Sequence, residues 1–339
     1  MRVGLLARAE NRGLGNLTWE FFRHLHPAKT LVVLPSVPWE QAHVERYGGA
    51  RIVGARELDD RVLRDFLEDL DVLYTAETPY APQTFDLARR LGVRTVLHVM
   101  PEYAPWARNR RLARPDAFWV PTDWRVRQLR LPVRVVPVPI DRERVPFRLR
   151  TRAELFVHHA GTMAKGDRNG TRTLLRALGL VTQPICVALR MQRPPDFRIP
   201  RLPSHVQLEV EVKDVRDYWT MYESGSVLVL PRRYGGLSMP MNEALSSGMP
   251  IVASALSPQN VILPAETLVP ARRTGLVRTQ GAQVIPTHSS RPRAIARVID
   301  RLAADAPLVE TLSRAADATA EGLSWTRWRD RYLELLAEV

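Results

Sequence analysis

Tyr234-Gly235-Gly236-Leu237-Ser238-Met239-Pro240-Met241-Asn242-Glu243-Ala244-Leu245, followed by Ser246-Ser247-Gly248-Met249-Pro250-Ile251-Val252-Ala253-Ser254, decides how this chain is read. The pattern predicts a loop, a short helix, a stop and a strand. Two glycines free the backbone for unusual dihedrals and for close approach to a ligand. Ser238 suits an N-cap, and Pro240 fits a first helical turn. Met241, Ala244 and Leu245 recur at helical spacing, Gly248 and Pro250 end the helix, and Ile251-Val252-Ala253 makes a short buried strand. Such a unit sets backbone N–H groups and a helix N-terminus beside a glycine loop, which suits a phosphate. Glu243 lies just inside the helix, where a carboxylate accepts hydrogen bonds from two adjacent hydroxyls, as on a ribose. The same residues also fit an ordinary αβ unit with a tight turn and a surface glutamate.

Working backward, Ser226 to Leu230 reads as the strand that delivers Pro231-Arg232-Arg233-Tyr234 into this run. Further back, Leu155-Phe156-Val157-His158-His159-Ala160 is a strand and residues 161–170 a polar, glycine-containing loop with Lys165-Gly166. Leu174, Leu175 and Leu178 mark the next helix, and strands are expected at 185–189 and 206–212. Tyr218, Trp219 and Tyr222 lie on a helix as packing residues. Forward of the run, Thr267-Leu268-Val269-Pro270 follows, then a Gly- and Arg-containing stretch and a helix near 292–304. The last helix, near 324–337, carries Trp325, Trp328, Tyr332, Leu335 and Leu336 on one face.

The first half alternates in the same way. Val3–Ala7 is a strand, Gly13-Leu14-Gly15 sits in a loop, and Leu17, Phe21, Phe22 and Leu25 mark a helix face. Strand, Gly-x-Gly and helix make a Rossmann-type opening, but position 18 is Thr where the dinucleotide fingerprint needs its third glycine, which argues against NAD. Strands are expected at 30–34, 51–53, 72–75, 95–99, 117–120 and 133–138, with helices at 58–70 and 84–91. His98 is near the C-terminal end of its strand, where sheet crevices open. Glu102 and Tyr103 follow in a loop, Glu102 as an acceptor contact or base. Asp69-Leu70-Asp71 has the form of a metal-binding Asp-x-Asp, yet it lies at a helix-to-strand entry, on the wrong side of an open sheet for a ligand. No metal site is expected.

The chain has 339 residues, enough for two domains with separate cores. Residues 141–152 are Arg-rich and lack periodicity, so the linker is placed there: 1–145 forms a first domain, 153–322 a second, and 323–339 a helix crossing back to the first. Hydrophobic residues make up 45% and charged residues 25%, as in globular proteins. No run is apolar enough to cross a bilayer, the start has no signal-peptide pattern, and Cys186 is the one cysteine, so a cytoplasmic location is expected. The net charge of +13 permits a polyanionic partner such as DNA. Only Lys29, Lys165 and Lys213 are lysines, however, and the arginines are dispersed.

The opening run resembles the donor-binding signature of retaining GT-B glycosyltransferases of the Glu-x7-Glu family, the group 1 glycosyl transferases. Gly236, Leu237, Glu243, Ala244, Gly248, Pro250 and the strand match its pattern. Gly235 stands where the family has its first Glu, which contacts the donor sugar, and Ser238 replaces the second Gly. The resemblance implies an α/β fold of two Rossmann-like domains facing a cleft, the GT-B architecture. It implies transfer of a sugar from a nucleotide-sugar donor to an acceptor hydroxyl, with retention and without metal or other cofactor. Glu243 would hold the ribose. Lys165 and the turn of Gly235, Gly236, Leu237, Ser238 and Met239 would hold the diphosphate, Lys165 also following charge on the leaving group. In the family an Arg follows the strand glycine; here Gly161 is followed by Thr162, and Arg232 or Arg233 would stand in for the missing phosphate Arg. The base would lie near Val212. His98 would line the cleft near the transferred sugar, and Gly15 would approach the donor. Gly13, Glu102 and Tyr103 would serve the acceptor, a glycan or small molecule. Alternatives are the same chemistry on a modified DNA base, a GT-B epimerase or phosphorylase, or a non-catalytic sugar-nucleotide binding protein.

Overall fold

Strands covered on both faces must be apolar along their length, and the central strands here are. All five residues of Val3–Ala7 and of Val72–Ala76 are buried. The computed structural model describes residues 1–34, 42–107, 109, 111–161, 167–279 and 283–339. It divides into two units. Unit 1 comprises Met1–Pro139, Trp325–Val339 and, from the intervening chain, Thr279 and Gln283; the rest is unit 2.

Unit 1 contains β1 (Val3–Ala7), α1 (Gly13–Leu25), β2 (Lys29–Leu34), β3 (Arg51–Gly54), α2 (Asp60–Leu67), β4 (Val72–Ala76), α3 (Thr84–Arg90), β5 (Arg94–His98), β6 (Ala117–Val120), α4 (Val126–Leu129) and β7 (Val133–Val135). The sheet is parallel, in the order β3-β2-β1-β4-β5-β6-β7. The order reverses between β1 and β4, so the crevice of this unit opens beyond their C-terminal ends. One face packs Leu6, Leu31 and Leu73 against Leu63, Phe66 and Leu67 of α2. Helix α2 is shorter than the pattern predicted. It begins after Asp59, whose carboxylate accepts a hydrogen bond from Val62 N at 2.8 Å. Asp59→Ala should cost about 1 kcal/mol of unit 1 stability, measurable by urea denaturation; no loss would mean the cap is inert. Asp71 of the rejected Asp-x-Asp accepts from Arg2 N, a structural use.

Unit 2 contains β8 (Leu155–Gly161), α5 (Thr171–Leu178), β9 (Ile185–Met191), β10 (Val206–Val212), β11 (Val227–Leu230), α6 (Met239–Ser246), β12 (Ile251–Ser254), α7 (Gln259–Ile262), β13 (Leu268–Val269), β14 (Ala271–Arg278), β15 (Val284–Ser290), α8 (Pro292–Ala304) and α9 (Ala306–Gly322). The parallel sheet runs β10-β9-β8-β11-β12-β13, and its switch point lies between β8 and β11. Its core joins Phe156, Val187 and Val229 to Leu174 and Leu178 of α5 and Ile295 and Ile299 of α8. The Gly- and Arg-containing stretch is strand β14, paired antiparallel with β15. Periodicity missed it because this strand is largely exposed and carries few apolar side chains. Residues 140–152 belong to unit 2 and lie against it. Ile140 N donates to Leu323 O at 2.8 Å, Arg142 bonds Asp317 and Glu321 of α9, and Ser246 Oγ donates to Val145 O.

The last helix, α10 (Trp325–Ala337), is part of unit 1. Tyr332, fully buried, meets Phe21 and Trp119 edge-on at ring distances of 5.1 and 5.7 Å, and Phe21 stacks on Tyr74 at 4.3 Å. Trp325 closes the cluster against Phe21 at 5.0 Å.

Candidate functional site

The switch point of unit 2 brings together two loops, one after β8 and one after β11. They are tied by Arg233 N, which donates to Arg168 O at 2.8 Å. Within the second loop Gly235 has φ +121°, in the region side chains rarely adopt. Its missing side chain matters twice over. A Cβ there would lie 2.5 Å from Nη2 of Arg168 and 2.5 Å from Nη2 of Arg232. Arg232 is buried and donates through Nη1 to Leu237 O at 2.6 Å, bracing the turn. Arg168 lies over the Tyr234 ring at 5.6 Å. Arg233 turns elsewhere, its Nε donating to His288 O at 3.2 Å.

Ser238 is the N-cap of α6, as expected, but its side chain makes no capping bond. An N-terminus without a side-chain cap favours an anion. Further along α6, Glu243 is 5% exposed. The hydroxyl of Tyr222 donates to its Oε2, while Oε1 has no partner among the described residues. Burial raises the Glu243 carboxyl to about 7, against the opposing pull of Tyr222 and Arg144. Tyr222 is itself pushed up by burial and by this carboxyl. His159, at the end of β8, sits 5.0 Å from the Tyr222 ring, and neither ring nitrogen has a partner among the described residues. Burial, with Arg190 and His158, lowers it to about 3, so it is a neutral imidazole. Its neighbour His158 is structural: Nδ1 donates to Val229 O at 2.7 Å and Nε2 accepts from Thr171 Oγ1 at 2.9 Å.

Of the expected donor residues, Gly235, Gly236, Leu237, Ser238, Met239 and Glu243 fall in this one loop and helix. Gly161 closes β8 at φ +64°. Thr162 and Lys165 lie outside the described residues. Val212 ends the edge strand β10 and is exposed. The sequence pattern made Tyr222 a packing residue and did not single out His159 or Arg168. A histidine at the end of a strand beside the switch point was the available signal for His159.

In unit 1 the picture differs from expectation at two residues. His98 does not line an opening. It is fully buried, bonded through Nδ1 to the Tyr74 hydroxyl at 2.9 Å and set edge-on to Trp119. Burial lowers it to about 3, so it remains neutral. Gly15 is also closed off: a Cβ there would be 2.0 Å from Glu10 O, so the glycine lets the loop fold onto α1. Gly13 is exposed with open space beside it. Glu102 is 2% exposed in the turn Pro101–Tyr103, and its carbonyl accepts from Thr279 Oγ1; Tyr103 is half-buried beside it. The unit 1 switch point carries residues the sequence did not single out. Glu77 and Tyr80 after β4 have φ of 58° and 65°, and Arg8 after β1 lies over the Tyr80 ring at 5.6 Å. Non-glycine residues in that region are costly and concentrate at working sites.

Two doubly wound parallel sheets, each with its strand order reversed beside the first strand, define the GT-B architecture, and comparison with solved structures agrees. The chain resembles Anabaena Alr3699/HepE in complex with UDP-glucose at TM-score 0.72 and 12% identity, over 100% of both chains. It resembles sucrose-phosphate synthase of Thermosynechococcus elongatus at TM-score 0.66 and 16% identity, over 100% of this chain and 98% of that one. A glycosyltransferase from Rickettsia africae matches at TM-score 0.69 and 10% identity, over 99% and 98%. At these identities the likeness establishes the fold. Residues 155–305 match the family model for glycosyl transferases group 1, a segment that contains the whole unit 2 site. No curated protein matches the chain at a significant level. Among the described residues no cluster of His, Cys, Asp or Glu is arranged to hold a metal ion, and no helix is long and apolar enough to cross a membrane.

Proposed function

We propose that the protein is a glycosyltransferase that moves a sugar from a nucleotide-sugar donor to an acceptor hydroxyl, with retention and without a metal. One observation carries this reading. Glu243, a buried carboxylate with one oxygen unpartnered among the described residues, shares a short helix with an uncapped N-terminus, inside the segment that matches the family model. A nucleoside diphosphate joins a ribose to a diphosphate in the same way. Glu243 accepts hydrogen bonds from the ribose hydroxyls, and Tyr222 orients it. The N-terminus of α6 and Lys165 take the diphosphate, whose growing charge as the glycosidic bond breaks must be stabilised. The leaving phosphate oxygen accepts the acceptor proton, so no separate base is required. Gly161 and Thr162 flank the phosphates, and Val212 lies on the side of the base. Unit 1 takes the acceptor, with Gly13, Glu102 and Tyr103 as contacts and the loop of Glu77 and Tyr80 beside them. His98 supports this unit as a buried neutral ring.

The test is calorimetric titration with UDP, GDP and their nucleosides, followed by assay of nucleotide-sugar turnover. Lys165→Ala should weaken diphosphate binding about 10–100-fold and leave nucleoside binding nearly unchanged. Glu243→Ala should weaken both ligands by a similar factor. If variant and parent bind alike, these roles are wrong; if no nucleotide binds the parent, the donor reading is wrong.

A further inference from the structure

In an open parallel sheet a ligand sits beyond the strand C-termini, where the strand order reverses. In unit 1 that point lies between β1 and β4. Three polar side chains meet there: Arg8 and Glu10 follow β1, and Tyr80 follows β4. The Arg8 guanidinium is their common neighbour, 5.6 Å from the Tyr80 ring centre and, Nη1 to Oε1, 3.9 Å from Glu10. The second distance makes an ion pair but is too long for a hydrogen bond. Arg8 Nε, Glu10 Oε2 and the Tyr80 hydroxyl are buried and have no hydrogen-bond partner among the described residues. Unpaired buried polar groups are costly, so three in one cluster call for a ligand that pairs them. The backbone beneath is fixed: the Tyr47 hydroxyl donates to Arg8 O at 2.8 Å, Glu10 pairs with Ala42, and Tyr80 N donates to Thr78 Oγ1 at 3.1 Å. The outer side meets solvent, with 28% of the Arg8 side chain and 10% of the Glu10 side chain exposed. Turning of these two side-chain ends brings their inner atoms to that side.

A cation and a carboxylate this close together disfavour a ligand of either charge: Glu10 repels a phosphate and Arg8 repels an ammonium. A hydroxyl suits both, since it donates to a carboxylate and accepts from a guanidinium. Adjacent hydroxyls on a sugar ring do this at two points, and the Tyr80 phenol, both donor and acceptor, serves a third. We infer that Arg8, Glu10 and Tyr80 bind the uncharged polyol end of the acceptor, which is therefore a neutral glycan or glycoside. The inference rests on the glycosyl-transfer reading above, which commits the unit 2 switch point to the donor and leaves this one to the second substrate. It names the acceptor class that reading leaves open.

The experiment is saturation-transfer NMR titration of the full chain in the presence of UDP or GDP. The probes are methyl glycosides of glucose, galactose and mannose, each compared with the same sugar as its phosphate ester and as its amino sugar. L-serine, whose two charges could also match the pair, is the zwitterionic control. In at least one series the neutral glycoside should bind about tenfold or more tightly than its charged counterparts and serine. Glu10→Gln should weaken the neutral glycoside about tenfold and tighten the sugar phosphate, because Arg8 is then unopposed; Arg8→Gln should favour the amino sugar instead. Tyr80→Phe should weaken the neutral glycoside about fivefold. The opposite swing of the two charge variants is a result that damaged folding does not give. The unmodified protein is decisive by itself: binding of a phosphate ester, amino sugar or serine as tight as that of every neutral glycoside, or no binding of any sugar, overturns the inference. Either result leaves the donor reading intact when UDP or GDP binds. Failure of both nucleotides to bind the parent removes the donor reading itself, and with it the assignment of this site to an acceptor.

Discussion

Glu243→Gln is expected to leave the melting temperature near its parent value at pH 5 and to raise it at pH 8. The carboxyl is buried, and burial lifts it from the ordinary carboxylate range to about 7. Its folded-state affinity for a proton therefore exceeds that of the unfolded chain. Such a group supports the fold fully below about pH 4.5 and loses that contribution as pH rises through about 7. The loss reaches roughly 3 kcal/mol once the group is ionised in the folded state. Glutamine keeps an acceptor for the Tyr222 hydroxyl but never ionises, so it escapes the loss. For a unit of this size the difference at pH 8 corresponds to roughly 6–12 °C. Scanning calorimetry of both proteins from pH 5 to 8 checks it; parallel curves would mean that Glu243 ionises as an exposed carboxyl does. The same burial has a functional side. A ribose that donates two hydrogen bonds favours the ionised form, so nucleotide binding should expel a proton below pH 7.

The second large effect is expected at Tyr332. Tyr332→Ala removes a fully buried ring from between Phe21, Trp119 and Trp325 and deletes the bond its hydroxyl donates to Pro137 O. Truncating a buried aromatic residue costs about 3–5 kcal/mol. Tyr332→Phe should cost only about 1 kcal/mol, the net worth of one hydrogen bond. Urea unfolding followed by tryptophan fluorescence reads both, since Trp119 and Trp325 report on this cluster. Equal losses for the two variants would show that the hydroxyl, and not the ring, holds the helix.

The alternation of apolar strands with periodic helices makes both sheets legible in the sequence, because each central strand is buried on both faces and so reads as an unbroken apolar run. The loop and helix around Glu243 are equally plain, since glycine, cap and stop residues signal locally. Tyr222 and Glu243 are another matter. Their bond joins residues on different elements, and helical spacing alone makes Tyr222 a packing residue. Arg168 illustrates the same limit: it reaches Gly235 from the loop after β8, which only the sheet order brings beside the loop after β11. His98 departs from expectation for a simpler reason. It does stand at a strand end, but the aromatic rings of Tyr74 and Trp119 on the neighbouring strands cover it. At Gly15 the absence of a side chain serves the backbone of Glu10, not a ligand.

The position of α10 has a consequence for biosynthesis. Its aromatic side chains complete the layer over β4 and β6, yet they are translated after every strand of the second sheet. During vectorial synthesis, therefore, the unit begun second can be finished first. The earlier part of unit 1 must wait, with Phe21, Tyr74 and Trp119 uncovered, until α10 leaves the ribosome.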